Sequence, residues 1–442
     1  MQIRETHCEG VVIRTIGPRS NAVFGSSSQS VTAPQEQVSI LLADSPELIA
    51  EPPQSEVAVM LSTLPPIATV PAFDVSRVNP IGWKPAHGPP LHPTGSLSES
   101  GLSTVDMRKA HHVSDWTRPG ADPALRAGEL AAAAASGVVV SVGPNSTKLE
   151  PFLGSELYEL MSATDRIEGA DAHGRELLSI ALRRAALRHH SPSARTRQLL
   201  TAAGLEPPRL HLISVLAPTC RPGRVPALID AIAAQTYPSV ELVVAQHGSG
   251  FERSETEAQL GRLHCPARAV DVEADRSLGE VLNMALSAAS GEMVAKIDDD
   301  DLYGPDHLWD LVLAAEYSGA ALVGKVSEYV YLAETGRMVR RFVGFGERHI
   351  DPERLSVAGG AVAMRRDALD AIGGWRAMGV GEDKALARDI ATNGGSVYRT
   401  HGAGYVLMRH SAGHTWEVDD SYFLEQAHET CEGCDLQFAG MN

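Results

Sequence analysis

MVAKIDDDD, residues 293–301, is a short and mostly apolar run that ends in four consecutive aspartates. The apolar part has the length and composition of a strand that is buried on both faces of a sheet. Four adjacent carboxylates repel one another and are costly without a cation. Because hard divalent ions prefer oxygen ligands, the stretch predicts a strand whose end holds Mg²⁺ or Mn²⁺. The alternative is a solvated acidic turn that caps a helix starting near Pro305.

Strands and helices alternate in the chain before this stretch. The predicted elements are strands at residues 210–216, 240–245 and 267–272 and helices at residues 226–235 and 277–289. The second helix begins with a capping box, Ser277 with Glu280, and stops before Gly291. This alternation predicts an α/β fold with a mostly parallel, doubly wound sheet. In such sheets ligands bind beyond the carboxyl ends of the strands, which is where the aspartates stand.

Other metal-binding and nucleotide-binding motifs do not fit the spacing. A calcium loop of the EF-hand type needs an oxygen ligand at its fifth position and Gly at its sixth. Counting from Asp298, these positions hold Leu302 and Tyr303. The turn after the first strand, residues 217–222, contains no glycine, and the chain has no G-x-x-x-x-G-K-[ST] loop. The sequence therefore lacks both a dinucleotide-binding turn and the motif of a P-loop hydrolase.

Charge and composition limit the class of protein. The formal net charge is −17 and there is no long basic run, so we expect no nucleic-acid partner. The five cysteines are odd in number and scattered, and the lone C-x-x-C of Cys431 and Cys434 is interpreted as inert. No stretch approaches the ~20 apolar residues of a membrane span, and the amino terminus lacks a signal pattern. The sequence predicts a soluble, cytoplasmic protein.

The composition also changes along the chain and predicts four regions. Residues 1–100 are rich in Pro and Ser and are predicted to be poorly defined, with strand-like pieces at 38–42 and 57–61. Residues 101–206 form a mainly helical α/β region that ends at the Pro207–Pro208 break. The predicted catalytic domain spans residues 207–425, and residues 426–442 are a carboxy-terminal tail.

Several ordered fragments resemble the family 2 glycosyltransferases, which have the GT-A fold. The fragments are ISVLAPT at 213–219, AQTYP at 234–238, ASGE at 289–292, a D-x-D signature at 298–300, DLYGP at 301–305, GGW at 373–375 and GED at 381–383. Each is weak alone, and their order and spacing make the resemblance specific. A weaker resemblance concerns NPIGW at 79–83 and the helical residues 122–205, which are similar to the tail of a GT-B glycosyltransferase in actinobacterial-type proteins.

The resemblance implies a hexosyltransferase-type enzyme that moves a sugar from a nucleotide-diphosphate sugar to an acceptor hydroxyl, with inversion and a divalent metal. It implies that Asp300 is a metal ligand and that Asp298 contacts the metal or the ribose. Asp299 and Asp301 are interpreted as structural. The glycine pair in VAGGA, residues 357–361, is expected either to place small backbone atoms near the sugar or to form an ordinary strand turn.

Two further segments supply candidate catalytic and metal-binding residues. Asp383 is the candidate general base and Glu382 its helper, because the start of a helix stabilises a carboxylate that is ready to accept a proton. The alternative is that both residues only cap their helix. His414, in a Gly-His-Thr-Trp also found in the sub-group this chain resembles, is the favoured additional metal ligand, with His410 as the fallback. The alternative for both is a surface or packing histidine.

The donor nucleotide is expected beside Pro218, Thr219 and Arg221. Arg276 is expected either to pair with a phosphate or to be a solvated surface residue. His247 stands where most family members have an aspartate that contacts the base, so the usual preference for uridine is open here.

Two other functions remain as alternatives, a nucleotidyltransferase and a non-catalytic sugar-nucleotide binder. The missing glycine-rich turn disfavours the first, and the intact acidic residues disfavour the second. The predicted partners are a nucleotide-diphosphate sugar and an acceptor that the sequence does not identify.

Overall fold

The structure is a computed structural model that describes most of the chain. The described residues are 3–8, 11–16, 38–43, 56–60, 64–70, 90–92, 104–115, 122–143, 146–343, 346–354, 357–410 and 418–441. Contacts divide the chain into two compact units, with a boundary between Arg209 and Leu210. Each unit is described by itself below.

The first unit begins with four strands in one sheet, in the order β1-β2-β3-β4. They are β1 Ile3–Cys8, β2 Val11–Ile16, β3 Val38–Ala43 and β4 Glu56–Met60. Strand β1 pairs antiparallel with β2, whereas β2, β3 and β4 run parallel. Strands β3 and β4 coincide with the predicted strand-like pieces. Strand β1, IRETHC, has no apolar pattern of its own, so its pairing with β2 is visible only in the structure.

The rest of the first unit is mainly helical. Its helices are α1 Thr104–Lys109, α2 Pro123–Ala135, α3 Glu150–Leu153, α4 Ser155–Ser162, α5 Thr164–Glu168, α6 Ala172–His190 and α7 Pro192–Ala202. Two short strands, β5 Val113–Asp115 and β6 Val140–Val142, pair in parallel. The structure breaks the expected helix at 150–161 into two, because Gly154 adopts a φ of 82° between α3 and α4.

The second unit is built on an eight-stranded sheet and a five-stranded sheet. Its strands are β7 Ile213–Thr219, β8 Val240–His247, β9 Ala267–Val272, β10 Met293–Ile297, β11 Leu302–Tyr303, β12 Leu322–Lys325, β13 Tyr329–Leu332, β14 Arg337–Arg340, β15 Arg348–Ile350, β16 Ala361–Arg365, β17 Val397–Thr400, β18 Tyr405–Arg409 and β19 Glu429–Glu432. Its helices are α8 Val225–Ala233, α9 Arg253–Leu260, α10 Leu278–Ser287, α11 His307–Ser318, α12 Arg366–Ala371, α13 Glu382–Thr392 and α14 Asp420–Glu425.

Helices cover both faces of the larger sheet. One apolar cluster joins the strands to α8 and α11, through residues such as Leu228 and Leu311. A second cluster joins them to α10 and α13, through residues such as Leu282 and Leu386. Successive residues of one strand serve the two clusters, as Val215 and Leu216 of β7 do. The predicted α/β fold with a doubly wound sheet is therefore confirmed.

The larger sheet has the order β15-β17-β12-β16-β10-β7-β8-β9. Strands β9, β8, β7 and β10 run parallel, as predicted. Strand β16 is inserted antiparallel between β10 and β12, and β15 is an antiparallel edge strand. The aspartate-bearing strand β10 thus lies between β7 and β16, near the middle of the sheet. Its carboxyl end is flanked by the end of β7 and by the start of β16.

The smaller sheet has the order β11-β18-β13-β14-β19 and brings the end of the chain into the fold. Strand β19 forms its edge by pairing antiparallel with β14. Farther on, Ala439 is fully buried and the ring of Phe438 lies 5.9 Å from that of Tyr329. Residues beyond 425, expected as a tail, are therefore packed where the structure describes them. Among the described helices, none combines the length and apolar character needed to cross a bilayer.

Candidate functional site

The four aspartates follow β10 at the carboxyl edge of the larger sheet, and each is held differently. Asp301 is buried, and its carboxylate accepts hydrogen bonds from the Tyr405 hydroxyl at 2.6 Å and from the Met408 amide at 2.9 Å. Burial raises the pKa of Asp301 well above its usual range, the charge of Asp298 raises it further, and the Tyr405 hydrogen bond opposes the rise. Asp301 therefore anchors the end of β10 to β18.

Asp299 is also hydrogen-bonded to other side chains of the protein. Its Oδ2 accepts hydrogen bonds from the Thr219 hydroxyl at 2.5 Å and from Arg221 Nε at 3.0 Å, and Arg221 Nη2 contacts its Oδ1. These donors lie at the end of β7, so Asp299 fixes the neighbouring strand end. Thr219 and Arg221, predicted to border the nucleotide, are thus brought directly to the aspartate cluster.

Asp298 and Asp300 each lie beside a cationic side chain. Asp300 Oδ2 lies 2.9 Å from Arg221 Nη2, and Asp298 Oδ1 lies 3.0 Å from Lys296 Nζ. The side chain of Asp298 is 36% exposed and that of Asp300 is 12% exposed. A cluster of acidic side chains that attracts two cationic ones has the charge that a divalent cation requires.

Asp298 and Asp300 could hold a divalent metal together with ligands from a substrate. The described residues contain no group of three or more His, Cys, Asp or Glu side chains arranged to hold an ion. Mg²⁺ and similar ions are, however, commonly bound by one or two carboxylates together with substrate phosphates. Asp298 and Asp300 therefore fit a metal that is shared with a diphosphate.

Lys296 connects the aspartates to a second acidic pair. Its ammonium is buried, 3.0 Å from Asp298 Oδ1 and 3.5 Å from Glu382 Oε1, and it donates to the Gly359 carbonyl at 3.3 Å. Burial by itself lowers the pKa of Lys296, but the charges of Asp298 and Glu382 raise it above its usual value. The ammonium is therefore kept charged by the carboxylates around it.

Glu382 and Asp383 open helix α13, directly after Gly381, which has a φ of 78°. Glu382 is buried, and burial raises the pKa of its carboxyl, Lys296 opposes the rise and Asp383 adds to it. Asp383 is partly exposed, and its Oδ1 accepts a hydrogen bond from the Lys384 amide at 2.7 Å. The predicted helix start is thus observed, with one buried and one accessible carboxylate.

The glycine pair 359–360 packs against carboxylates from both sides of the site. A Cβ atom on Gly359 would lie 2.8 Å from Asp383 Oδ2, and one on Gly360 would lie 2.4 Å from Asp298 Oδ2. The Tyr303 hydroxyl completes this junction, since it donates to the Gly360 carbonyl at 2.8 Å and accepts from the Asp298 amide at 2.7 Å. The sequence left these glycines open between clearance for a sugar and an ordinary strand turn, and the structure shows that a Cβ at either position would meet an acidic side chain.

We expect Gly360→Ala to weaken nucleotide binding. The added Cβ would come within 2.4 Å of Asp298 Oδ2 and 2.8 Å of its Cγ, so the carboxylate must move away from its present position. A loss of about tenfold in Mn²⁺-dependent affinity for a nucleoside diphosphate, measured by calorimetry, corresponds to one impaired contact of roughly 1.4 kcal/mol. The matched control is Gly379→Ala, because nothing lies within 4 Å of a Cβ there. Equal affinities for both variants would contradict this account of Gly360.

Pro218, His247 and Arg276, the other residues predicted to contact the nucleotide, lie at different places in the second unit. Pro218 lies in β7, opposite Ala245 of β8. His247 ends β8, and its Nε2 atom is buried without a hydrogen-bond partner among the described residues. Arg276 is about half exposed and pairs with Glu273 at 3.6 Å and Glu280 at 3.2 Å. The structure thus describes Arg276 as a paired surface residue and does not bring it to the aspartates.

The predicted histidine ligands can be followed only in part. His410 comes directly after β18, the strand whose Tyr405 and Met408 hold Asp301, and it is half-buried. His414 lies outside the described residues. The choice between these two histidines therefore stays a prediction.

Residues far from the aspartates position helix α13. Trp375 is buried, its amide donates to Asn283 Oδ1 at 2.9 Å, and its carbonyl accepts from Asn283 Nδ2 at 2.7 Å. The amide of Gly279 donates to the Met378 carbonyl at 3.1 Å, and a Cβ on Gly279 would collide with the Arg376 carbonyl. The GGW fragment thus docks the segment before α13 onto α10.

Sequence reasoning missed three residues that shape the site, Lys296, Tyr303 and Tyr405. Lys296 had a detectable signal, because it is the one charged residue in the otherwise apolar run 293–297. Tyr303 follows the aspartates within the quoted fragment DLYGP, although nothing in the sequence indicates what its hydroxyl contacts. Tyr405 had no signal, since it approaches Asp301 only through the fold.

The chain is similar to several solved structures and to a family model. No curated protein matches the chain. Among solved structures, a mannosyltransferase from Pyrobaculum calidifontis, in complex with GDP-Man and Mn²⁺, is 20% identical to this chain. The match covers 47% of this chain and 59% of the mannosyltransferase, with a TM-score of 0.37. TarS of S. aureus, residues 1–349 in complex with UDP-GlcNAc, is 17% identical. That match covers 48% of this chain and 64% of the TarS chain, with a TM-score of 0.37. This chain thus spans less than two thirds of either structure.

The family assignment rests on a match of residues 213–428 to the model described as glycosyltransferase like family 2. The matched segment contains the aspartates after β10, the glycine pair before β16 and the acidic start of α13. It thereby confirms the family predicted from the ordered fragments of the sequence. Residues 213–428 of this chain therefore match the model of glycosyltransferase-like family 2.

Proposed function

We propose that this domain transfers a sugar from a nucleotide-diphosphate sugar to an acceptor hydroxyl, with inversion at the anomeric carbon and with Mn²⁺ or Mg²⁺. One observation carries the proposal. At the end of β10, Asp298 Oδ1 lies 3.0 Å from Lys296 Nζ and Asp300 Oδ2 lies 2.9 Å from Arg221 Nη2, so acidic and cationic side chains stand together at the carboxyl edge of the sheet. The carboxylates supply oxygen ligands for a divalent metal, and the guanidinium beside them suits a diphosphate.

The donor side of the proposed reaction uses the ends of β7, β8 and β10. Asp300 and Asp298 would hold the metal, which neutralises the charge that develops on the departing diphosphate. Arg221 stands beside them with its guanidinium, a group suited to phosphate oxygens. His247 offers an imidazole nitrogen to the base, since its buried Nε2 has no hydrogen-bond partner among the described residues. A neutral imidazole there can donate or accept, so it does not dictate uracil.

The acceptor side uses the start of α13. Asp383 would take the proton from the acceptor hydroxyl as that oxygen attacks the anomeric carbon on the face opposite the diphosphate. Asp383 is partly exposed at the start of the helix, so its carboxylate is accessible to an acceptor hydroxyl. Glu382 is buried beside it and would orient it rather than meet the acceptor.

The test is donor hydrolysis, in which water replaces the unknown acceptor. The full chain is incubated with Mn²⁺ and a panel of uridine, guanosine and thymidine diphosphate sugars, and the released nucleotide is identified. We expect slow, metal-dependent release of a nucleoside diphosphate from one class of donor. Pyrophosphate as a product would indicate a nucleotidyltransferase. Absence of turnover, or turnover that survives Asp300→Ala, would indicate a non-catalytic binder.

A further inference from the structure

Lys296 is an unusual residue for the middle of a buried strand. It is 3% exposed, and every other residue of β10 is apolar. An ammonium removed from water is costly unless it is paired and hydrogen-bonded. Packing alone is therefore a poor reason for this residue, since a Leu or Met would fill a comparable volume without that cost.

The three contacts of Lys296 come from three separate segments. Asp298 belongs to the end of β10, Gly359 to the loop before β16, and Glu382 to the start of α13. An ammonium has three N–H donors, and three oxygen atoms lie within 3.5 Å of this one. One cation thus joins the donor side of the site to its acceptor side.

We propose that Lys296 is a positioning residue that sets the separation between the donor-side carboxylate Asp298 and the acceptor-side pair Glu382 and Asp383. This role rests on the proposed function and adds to it. The carboxylates repel one another, and a cation shared between them offsets that repulsion and fixes the distance between them. Gly359 connects the two sides, because its carbonyl accepts from Lys296 and a Cβ atom on it would lie 2.8 Å from Asp383 Oδ2.

The expected consequence of losing Lys296 is misplacement of the acceptor side. The metal and the diphosphate still provide positive and negative partners for the donor side, whereas Glu382 loses the only cation that the described residues place within 4 Å of it. A misplacement of about 1 Å at a reacting centre can cost about 10²-fold in rate. The loss should therefore be found in kcat and not in the KM for the donor.

Lys325 provides a matched control. It is as deeply buried as Lys296, and its ammonium pairs with Asp310 Oδ2 at 2.7 Å and with the Ala403 carbonyl. Lys325→Met and Lys296→Met thus both remove a buried ammonium and leave a buried carboxylate, with similar costs to folding. Only Lys296 contacts residues that are assigned a role in the reaction.

The experiment compares Lys296→Met, Lys296→Arg and Lys325→Met in the full chain, with rates normalised to the folded fraction from circular dichroism. For Lys296→Met we expect kcat of donor hydrolysis to fall about 10²-fold while the donor KM stays within about threefold. Lys296→Arg restores the charge and should regain at least about tenfold, though not full activity, because the guanidinium is larger and planar. Lys325→Met should retain kcat per folded molecule.

The outcomes separate the two claims. Unchanged kcat in Lys296→Met, an arginine variant no better than the methionine variant, or an equal loss in Lys325→Met would each overturn the positioning role while the wild type remains active. A wild-type chain that releases no nucleoside diphosphate with any donor and Mn²⁺ overturns the proposed function itself, and the positioning role with it.

Discussion

Asp300→Asn is expected to reduce metal-dependent donor turnover by about 10³-fold, which corresponds to about 4 kcal/mol of lost charge stabilisation. The substitution keeps the shape of the side chain and removes its charge. Asp300 lies 2.9 Å from the Arg221 guanidinium and is mostly buried, so its charge acts through little water. The measurement is kcat/KM for release of nucleoside diphosphate with saturating Mn²⁺.

The matched control for Asp300 is Asp306→Asn. Asp306 is a neighbour in sequence, and its carboxylate accepts from the Thr236 hydroxyl at 2.6 Å near the surface. We expect this variant to keep its turnover and its Mn²⁺-dependent affinity for nucleoside diphosphate. If Asp300→Asn retained a tenth or more of the wild-type turnover, or lost no metal-dependent affinity, the metal role of the cluster would be wrong.

Asp383→Asn is expected to lower kcat by about 10²- to 10⁴-fold, the range found when a general base is removed. Binding of metal and nucleoside diphosphate should not change, because Asp383 contacts Gly359 and the Lys384 amide and lies on the acceptor side. The two readouts are kcat of donor hydrolysis and calorimetric affinity. Together they distinguish this variant from Asp300→Asn, which should lose both.

The control for Asp383 is Asp370→Asn, at an exposed position on α12 where the carboxylate pairs with Arg366 at 2.8 Å. It should retain full activity. Glu382→Gln completes the comparison. If Glu382→Gln lost more activity than Asp383→Asn, the assignment of base and helper would be reversed, and if neither lost activity, both residues would only cap α13.

The central part of the fold could be predicted because its signals are local. Strands β7, β8 and β10 are mostly apolar runs of strand length, and the capping box of Ser277 and Glu280 marks the start of α10 as predicted. The direction of β16 could not be predicted in this way. Whether a strand enters the sheet parallel or antiparallel depends on the path of the chain between elements, and the composition of the strand does not record it.

The sequence predicted the acidic groups of the candidate site but not the contacts that join them. The sequence places Asp298 to Asp301 at the end of a strand and Glu382 with Asp383 at the start of a helix. It could not show that Gly359 and Gly360 lie against carboxylates of both groups, or that Lys296 bridges them. It left Arg276 open between a phosphate contact and a surface residue, and the structure pairs it with Glu273 and Glu280 at the surface.

The sequence by itself determined the α/β pattern, the family and the position of the acidic cluster, because strand length, apolar runs and motif order are properties of neighbouring residues. Only the tertiary structure decided which side chains hold Asp299 and Asp301. Thr219 reaches Asp299 from 80 residues away, and Tyr405 reaches Asp301 from 104 residues away. Contacts over such separations arise when strands distant in sequence end at the same edge of one sheet, and four adjacent, identical residues then acquire different roles.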